Sequence, residues 1–162
     1  MATDMFLDLG EIKGESVDKK GHAGHIDILA WSWGMSQSGT FHSATGGGAG
    51  KANVQDLSIT KYIDKASTAL MGAVLRGDHL PTAKLHVRKA GAKGPLEYLV
   101  LTLQKCMITS YSTGGSGGEE RLTENVSINF ASFEIEYQVQ KEDGSGEKAG
   151  NLSFDIAGND LK

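Results

Sequence analysis

Alternation with a period of two runs through most of this chain, and it restricts the fold more than any other feature. Met5, Leu7 and Leu9 alternate with polar or small neighbours. Residues 26–37 continue the pattern, with Leu29, Trp31, Trp33 and Met35 on one face and Ala30, Ser32, Gly34 and Ser36 on the other. Val54 to Tyr62 predicts a further strand. Ala83, Leu85 and Val87 alternate with Lys84, His86 and Arg88, and a hairpin turn over Ala90 to Pro95 leads into Leu99, Leu101 and Leu103. Successive side chains of a strand point to opposite faces, so each run presents one apolar face to a core. Twice the apolar parity slips, once before Cys106 and Ile108 and once between Phe130 and Phe133. A slip of one residue predicts a β-bulge, a device that bends sheets into barrels.

One segment breaks the period. Ala66, Leu70, Ala73 and Val74 recur at helical spacing, Asp64 precedes them as a cap for the free first-turn amides, and Arg76 then Gly77 close the segment. This predicts a single short helix against a mainly β body. Glycine, 22 of 162 residues, concentrates in turns and in two loops, 46–50 and 114–118. Lys141 to Gly150 reads as a polar turn before a last short strand at Leu152 to Ile156. One domain spanning residues 1–162 is expected from this length.

Composition excludes several roles. The net charge is −4, which argues against a nucleic-acid partner. No apolar run approaches membrane-spanning length, so no membrane insertion is expected. The acidic N-terminus lacks the charge and apolar run of a signal peptide. Cys106 is the single cysteine, so no internal disulfide forms, and its apolar neighbours make it a core thiol. Charge is uneven: residues 1–118 carry 12 basic and 10 acidic groups, whereas residues 119–162 carry 4 and 10.

Motifs for catalysis or cofactors fail on context. Gly50-Lys51 is followed by Ala52 rather than the hydroxyl that a phosphate loop needs, and by a strand rather than a helix. Gly114-Gly115-Ser116-Gly117-Gly118 matches the serine-hydrolase elbow, but it leads into another strand and all five histidines precede Ser116. His22 and His25 have ligand-like spacing without a third ligand nearby in sequence, and His42, His79 and His86 are scattered. No catalytic residue, cofactor or metal is expected. Trp31 and Trp33 fit either a core or a stacking site in a monomeric ligand-binding barrel. The basic stripe Lys84, His86, Arg88 and the acidic stripe Glu134, Glu136 can meet within a subunit or across an interface.

Three long stretches carry a resemblance. Ile28-Leu29-Ala30-Trp31-Ser32-Trp33-Gly34-Met35-Ser36-Gln37, Val54-Gln55-Asp56-Leu57-Ser58-Ile59-Thr60-Lys61-Tyr62-Ile63-Asp64-Lys65, and Ser112-Thr113-Gly114-Gly115-Ser116-Gly117-Gly118-Glu119 through Glu124-Asn125-Val126 resemble, in order and spacing, the haemolysin-coregulated protein (Hcp) family of bacterial type VI secretion. Met5-Phe6-Leu7 followed by Gly14-Glu15-Ser16 fits as well. The resemblance implies a mainly β fold, a β-barrel of two packed antiparallel sheets with one flanking α-helix, similar to phage tail-tube proteins. It implies no enzyme but a structural subunit of the secretion tube. Its partners are then other copies of itself in a homohexameric ring, further stacked rings, a spike protein at the tube tip, a contractile sheath, and small secreted effectors held in the lumen. It further implies synthesis in the bacterial cytoplasm and export to the exterior or a target cell without a signal peptide. The C-terminal stretch Leu152 to Asn159 fits the family loosely, and with the chain stopping at Lys162 no fused toxin domain is expected.

Within that frame the small face Ala30, Ser32, Gly34 and Ser36 is expected to line the lumen and meet cargo. The loop holding Phe41, Gly46, Gly47, Gly48, Gly50 and Lys51 is expected to make the ring-to-ring contact. Lys84 and Arg88 are expected to pair with Glu134 and Glu136 between subunits.

Overall fold

A computed structural model describes residues 3–42, 50–91 and 94–162. Eleven strands and one helix follow in order: β1 Thr3–Asp8, β2 Ile26–Asp27, β3 Ala30–Ser32, β4 Met35–Gln37, β5 Ala52–Val54, β6 Leu57–Tyr62, α1 Ser67–Arg76, β7 His79–Lys89, β8 Leu96–Gly114, β9 Thr123–Gln140, β10 Gly146–Asp155 and β11 Asp160–Leu161. Nine strands form one antiparallel sheet. Its main path runs β11-β10-β9-β8-β7-β1-β2, and β9 also pairs β6, which pairs β3. The remaining two strands, β4 and β5, form an arm of their own.

The alternating apolar residues build one core. Leu57 and Ile59 of β6, Ala83, Leu85 and Val87 of β7, Leu101 and Leu103 of β8, and Val126 and Ile128 of β9 are all buried together. Fully burying one such side chain contributes about 1.5–3 kcal/mol. The helix lies against β8 and adds Leu70 and Ala73 to the same cluster. It ends as expected, on Gly77 in the left-handed conformation with φ 68°, whose N–H donates to Val74 O. Its start differs. Ala66 occupies the cap position, while two residues earlier Asp64 Oδ1 accepts from the Ala66 N–H at 2.9 Å and the Asp64 N–H donates to Ser67 Oγ.

The expected barrel is open at one seam, and it is a single folded sheet plus the small arm rather than two packed sheets. The sequence pattern predicts one strand over 26–37, but this segment changes partner twice. Ile28 N donates to Met5 O on β1, the next residue, Leu29, donates to Thr60 O on β6, and Met35 to Gln37 then leave to pair β5. The segment therefore spans the β2 and β3 margins of the sheet without a continuous ladder between them. This switching also exposes Leu29 and Met35, which strict alternation placed inward.

The parity slips are real, but their cause is different from the bulges expected. Leu103 and Cys106 are both buried, as are Phe130 and Phe133, yet Gln104↔Ser132 and Cys106↔Phe130 keep one register. Between them Lys105 takes φ 54°, so the paired strands turn over together. The register shifts lie elsewhere, at Val87/Arg88, Ile108/Ser110 and Lys148/Gly150. The C-terminal turn is shorter than expected: Lys141 N donates to Ser145 O, and β10 already begins at Gly146. Among the described residues, no helix is long and apolar enough to cross a membrane.

Candidate functional site

Strand register extends the small-residue face well beyond β3. Ser32 lies beside Ser58, Ser58 beside Ser127, and Ser127 beside Ser110, giving a row of serines across four strands. The next row reads Ala30, Thr60, Asn125, Ser112. At the ordinary strand spacing these rows span roughly 14 Å. Thr60 Oγ1 donates to Asn125 Oδ1 at 2.8 Å within the face. Asp56 marks one border, where it accepts from Thr109 Oγ1 at 2.7 Å and Asn129 Nδ2 at 2.8 Å. No charged side chain belongs to either row. Such a surface holds water through short hydroxyls and offers no charge and little apolar area for tight binding.

Of the residues singled out for this role, Ala30 and Ser32 sit on the face and are exposed. Gly34 lies at the turn, where its carbonyl accepts from Gln55 N, and Ser36 belongs to the arm. Ser58, Thr60, Ser110, Ser112, Asn125 and Ser127 were missed by sequence reasoning. Each occupies an alternate position of its strand, but only the register brings them together. The opposite face carries Trp31, half-buried against the core, and Trp33, which stacks edge-on to Phe133 at 4.8 Å and lies near Phe130. Both tryptophans pack against the core, which disfavours the ligand-binding alternative.

Phe41 is 92% exposed near the far end of the β4–β5 arm. Gly50 and Lys51 are exposed on the returning strand side, where Gly50 lies against the Ser38 side chain. Gly46, Gly47 and Gly48 fall outside the described residues. Ser116 sits at the exposed tip of the β8–β9 hairpin, where its carbonyl accepts from Glu119 N, a strand-turn-strand context unlike the hydrolase elbow.

The charge stripes divide. Lys84 and Glu136 are exposed, Glu134 is half-buried, and none of them joins an ion pair within the described residues. Arg88 is different: 5% exposed, it pairs with Asp18 and lies 3.5 Å from Asp4. Its guanidinium, with the N–H groups of Lys20 and His22, holds the Asp18 carboxyl down to about 2. Arg88 is thus committed inside its own chain because residues 10–25 fold over this side of β1 and β7.

That covering segment builds a polar nest. Gly14 N donates to Gly24 O and Ser16 N to His25 O, and a Cβ on Gly14 would come within 2.6 Å of His25 O. The zipped loop places His22 against Phe6, rings stacked at 4.5 Å, and next to His86 at 4.7 Å. The register shift at Val87/Arg88 sets Glu97 opposite Arg88 and so on the same side as His86. Glu97 contacts His22 Nε2 and lies 3.3 Å from His86 Nδ1. Burial pushes His86 below the usual imidazole range, against the pull of Glu97.

A second polar cluster is fully enclosed. Lys61 and Glu124, cross-strand partners on β6 and β9, are both 0% exposed and paired. Lys61 Nζ also donates to Asp64 Oδ1 and Tyr62 O at 2.9 Å each. Glu124 accepts from Ser67 Oγ at 2.8 Å and from the Tyr111 hydroxyl. Burial together with Glu124 pushes the Tyr111 phenol up to about 12. This cluster fastens the start of α1 to the sheet.

Comparison with known proteins agrees with this architecture. Residues 6–137 match the family model described as type VI secretion system effector, Hcp. Protein hcp1 of Pseudomonas aeruginosa is 61% identical over 145 residues, covering 90% of this chain and 89% of that protein. A solved type six secretion system protein superposes with a TM-score of 0.92 at 29% identity, covering 99% of this chain and all of the other. Hcp1 from Salmonella typhimurium gives 0.80 at 36% identity over the full length of both chains. The chain belongs to the Hcp family of type VI secretion proteins.

Proposed function

We propose that this chain is the repeating subunit of a type VI secretion inner tube. Six copies close into a ring, rings stack, and the serine rows face the bore. The observation that carries this reading is the uncharged hydroxyl face of β3, β6, β9 and β8. A channel that passes varied folded cargo needs a surface that is wetted, small and uncommitted, and these rows supply it. Small secreted effectors ride in that bore, a spike caps the tube, and a contractile sheath drives both from the cytoplasm to the exterior or a target cell.

Ring closure calls for one surface patch meeting a different one on the next copy. Exposed Lys84 on one copy and Glu134 with Glu136 on the next supply complementary charge, and Arg88 takes no part because it is occupied internally. Phe41, with Gly50 and Lys51 on the same arm, makes the axial contact, since an aromatic ring so open to water gains apolar burial on stacking. No catalytic step is assigned.

Native mass spectrometry with negative-stain imaging tests the assembly. A species of six chain masses with an open centre is expected, and a monomer at every concentration would sink the proposal. Ser32→Arg then tests the bore: rings persist while co-purification of effector is lost. Loss of the ring itself would move Ser32 to an interface.

A further inference from the structure

The histidine nest is built differently from the rest of the interior. His25 Nε2 lies 3.5 Å from Asp8 Oδ2. Burial works to raise the Asp8 carboxyl, but the Gly10 N–H and nearby His25 bring it below the ordinary range, so it is a ready acceptor. His22 Nδ1 lies 3.1 Å from His25 Nδ1, and His22 Nε2 faces the Glu97 carboxylate. His86 Nδ1, buried and without a hydrogen-bond partner among the described residues, faces the second oxygen of the same carboxylate at 3.3 Å. Two imidazole nitrogens turned to one carboxylate, one of them unsatisfied, are a donor set that a cation completes.

We infer that His22 Nε2, His86 Nδ1 and the Glu97 carboxylate form a binding site for a divalent transition-metal ion of the zinc class. The ligand atoms lie within 4.8 Å of one another. Two imidazoles and a carboxylate suit zinc, whose nitrogen and oxygen ligands sit about 2.0–2.2 Å from the ion. The edge of such a tetrahedron is about 3.3–3.5 Å, which the His86–Glu97 separation already matches. His25 supplies an outer hydrogen-bond partner to the ligating His22 ring, 3.1 Å from its Nδ1. Phe6 closes one side. Glu97, 37% exposed, connects the cluster to solvent. The one neighbouring cation, Arg88, is offset by Asp4 and Asp18.

The test is titration of the purified full-length chain with Zn(II) by calorimetry, with Co(II) as a coloured probe of the same protein. One Zn(II) per chain and the strong visible absorption of tetrahedral cobalt are expected. His86→Ala and Glu97→Gln are each expected to weaken Zn(II) at least 10-fold, and His25→Ala about 10–100-fold as the orienting partner. His79→Ala, outside the nest, leaves affinity unchanged. Absent stoichiometric binding, octahedral cobalt spectra, or equal affinity in the His86→Ala chain would overturn the site. The wild-type cobalt spectrum decides the matter even if a variant misfolds. A nest that holds only a proton on His22 gives no zinc binding and counts against the inference.

Discussion

Two polar clusters lie inside this protein, and they are built on opposite plans. Around Lys61 and Glu124, each oxygen of the carboxylate has a donor, and the ammonium has three acceptors. Around His22, His86 and Glu97, a buried ring nitrogen lacks a hydrogen-bond partner among the described residues, and two imidazoles converge on one carboxylate. A cluster with every group satisfied rigidifies the fold and has nothing left to bind. A cluster with an unsatisfied nitrogen contributes less to the fold and retains capacity for a ligand. Both contain one glutamate on a long strand, which allows the same substitution to be compared at two addresses.

The largest effect is expected at the closed cluster. Glu124→Gln leaves a buried ammonium without its full counter-charge, and urea unfolding should show a loss of about 3–5 kcal/mol. Replacing both partners, Lys61→Met with Glu124→Leu, should recover most of that, because removing a buried pair together is far less costly than orphaning one member. A double variant as unstable as the single one would show that packing rather than charge dominates. Glu97→Gln in metal-free buffer is expected to change stability by less than about 1 kcal/mol, since this carboxylate is partly solvated. A loss equal to that of Glu124→Gln would erase the distinction between the clusters.

Acid titration separates the neighbouring pair from both. The folded Asp18 carboxyl titrates near 2, below an unfolded value of about 3.9. Between those values the unfolded chain binds the proton more readily. The stability from this group is therefore present above about pH 4 and is lost as the pH falls towards 2. Asp18→Asn should flatten the acid limb of a stability profile over that window, and an unchanged slope would count against the Arg88 pairing. The smallest effect is expected at Trp33, whose buried indole N–H has no partner. Trp33→Phe discards an unsatisfied donor along with some volume, and thermal melting should place it within about 1 kcal/mol of the parent.

The alternation of Ile59, Val126 and Ile128 and the helix from Ser67 to Gly77 were legible in the sequence because each depends on neighbours a few residues away. The family stretches made the overall fold legible as well. Register was not legible. Nothing local to Ser58 or Ser127 says that they lie side by side with Ser32 and Ser110, so most of the hydroxyl face stayed hidden. The same holds for the nest. His22 and His25 looked like an incomplete pair because their third and fourth companions arrive from β7 and β8, through the β1–β7 ladder and the shift beside Arg88. Arg88 read as one member of an outward stripe because a covering loop leaves no trace in the strand it covers.

The open seam of the sheet sets an order on synthesis. β1 pairs β7, Thr3 with Lys89, and β6 pairs β9, Leu57 with Ile128. At about 5–20 residues per second, β1 emerges from the ribosome roughly 4–16 s before β7, although β2, its other neighbour, follows within about 20 residues. For that interval the Met-Phe-Leu segment keeps one open edge. Asp4 and Asp8 bracket it at both ends, the placement of charges that keeps an apolar strand from adding to another chain. Asp4, which later lies beside Arg88, thus serves earlier as a guard on a nascent chain, before that partner has been translated.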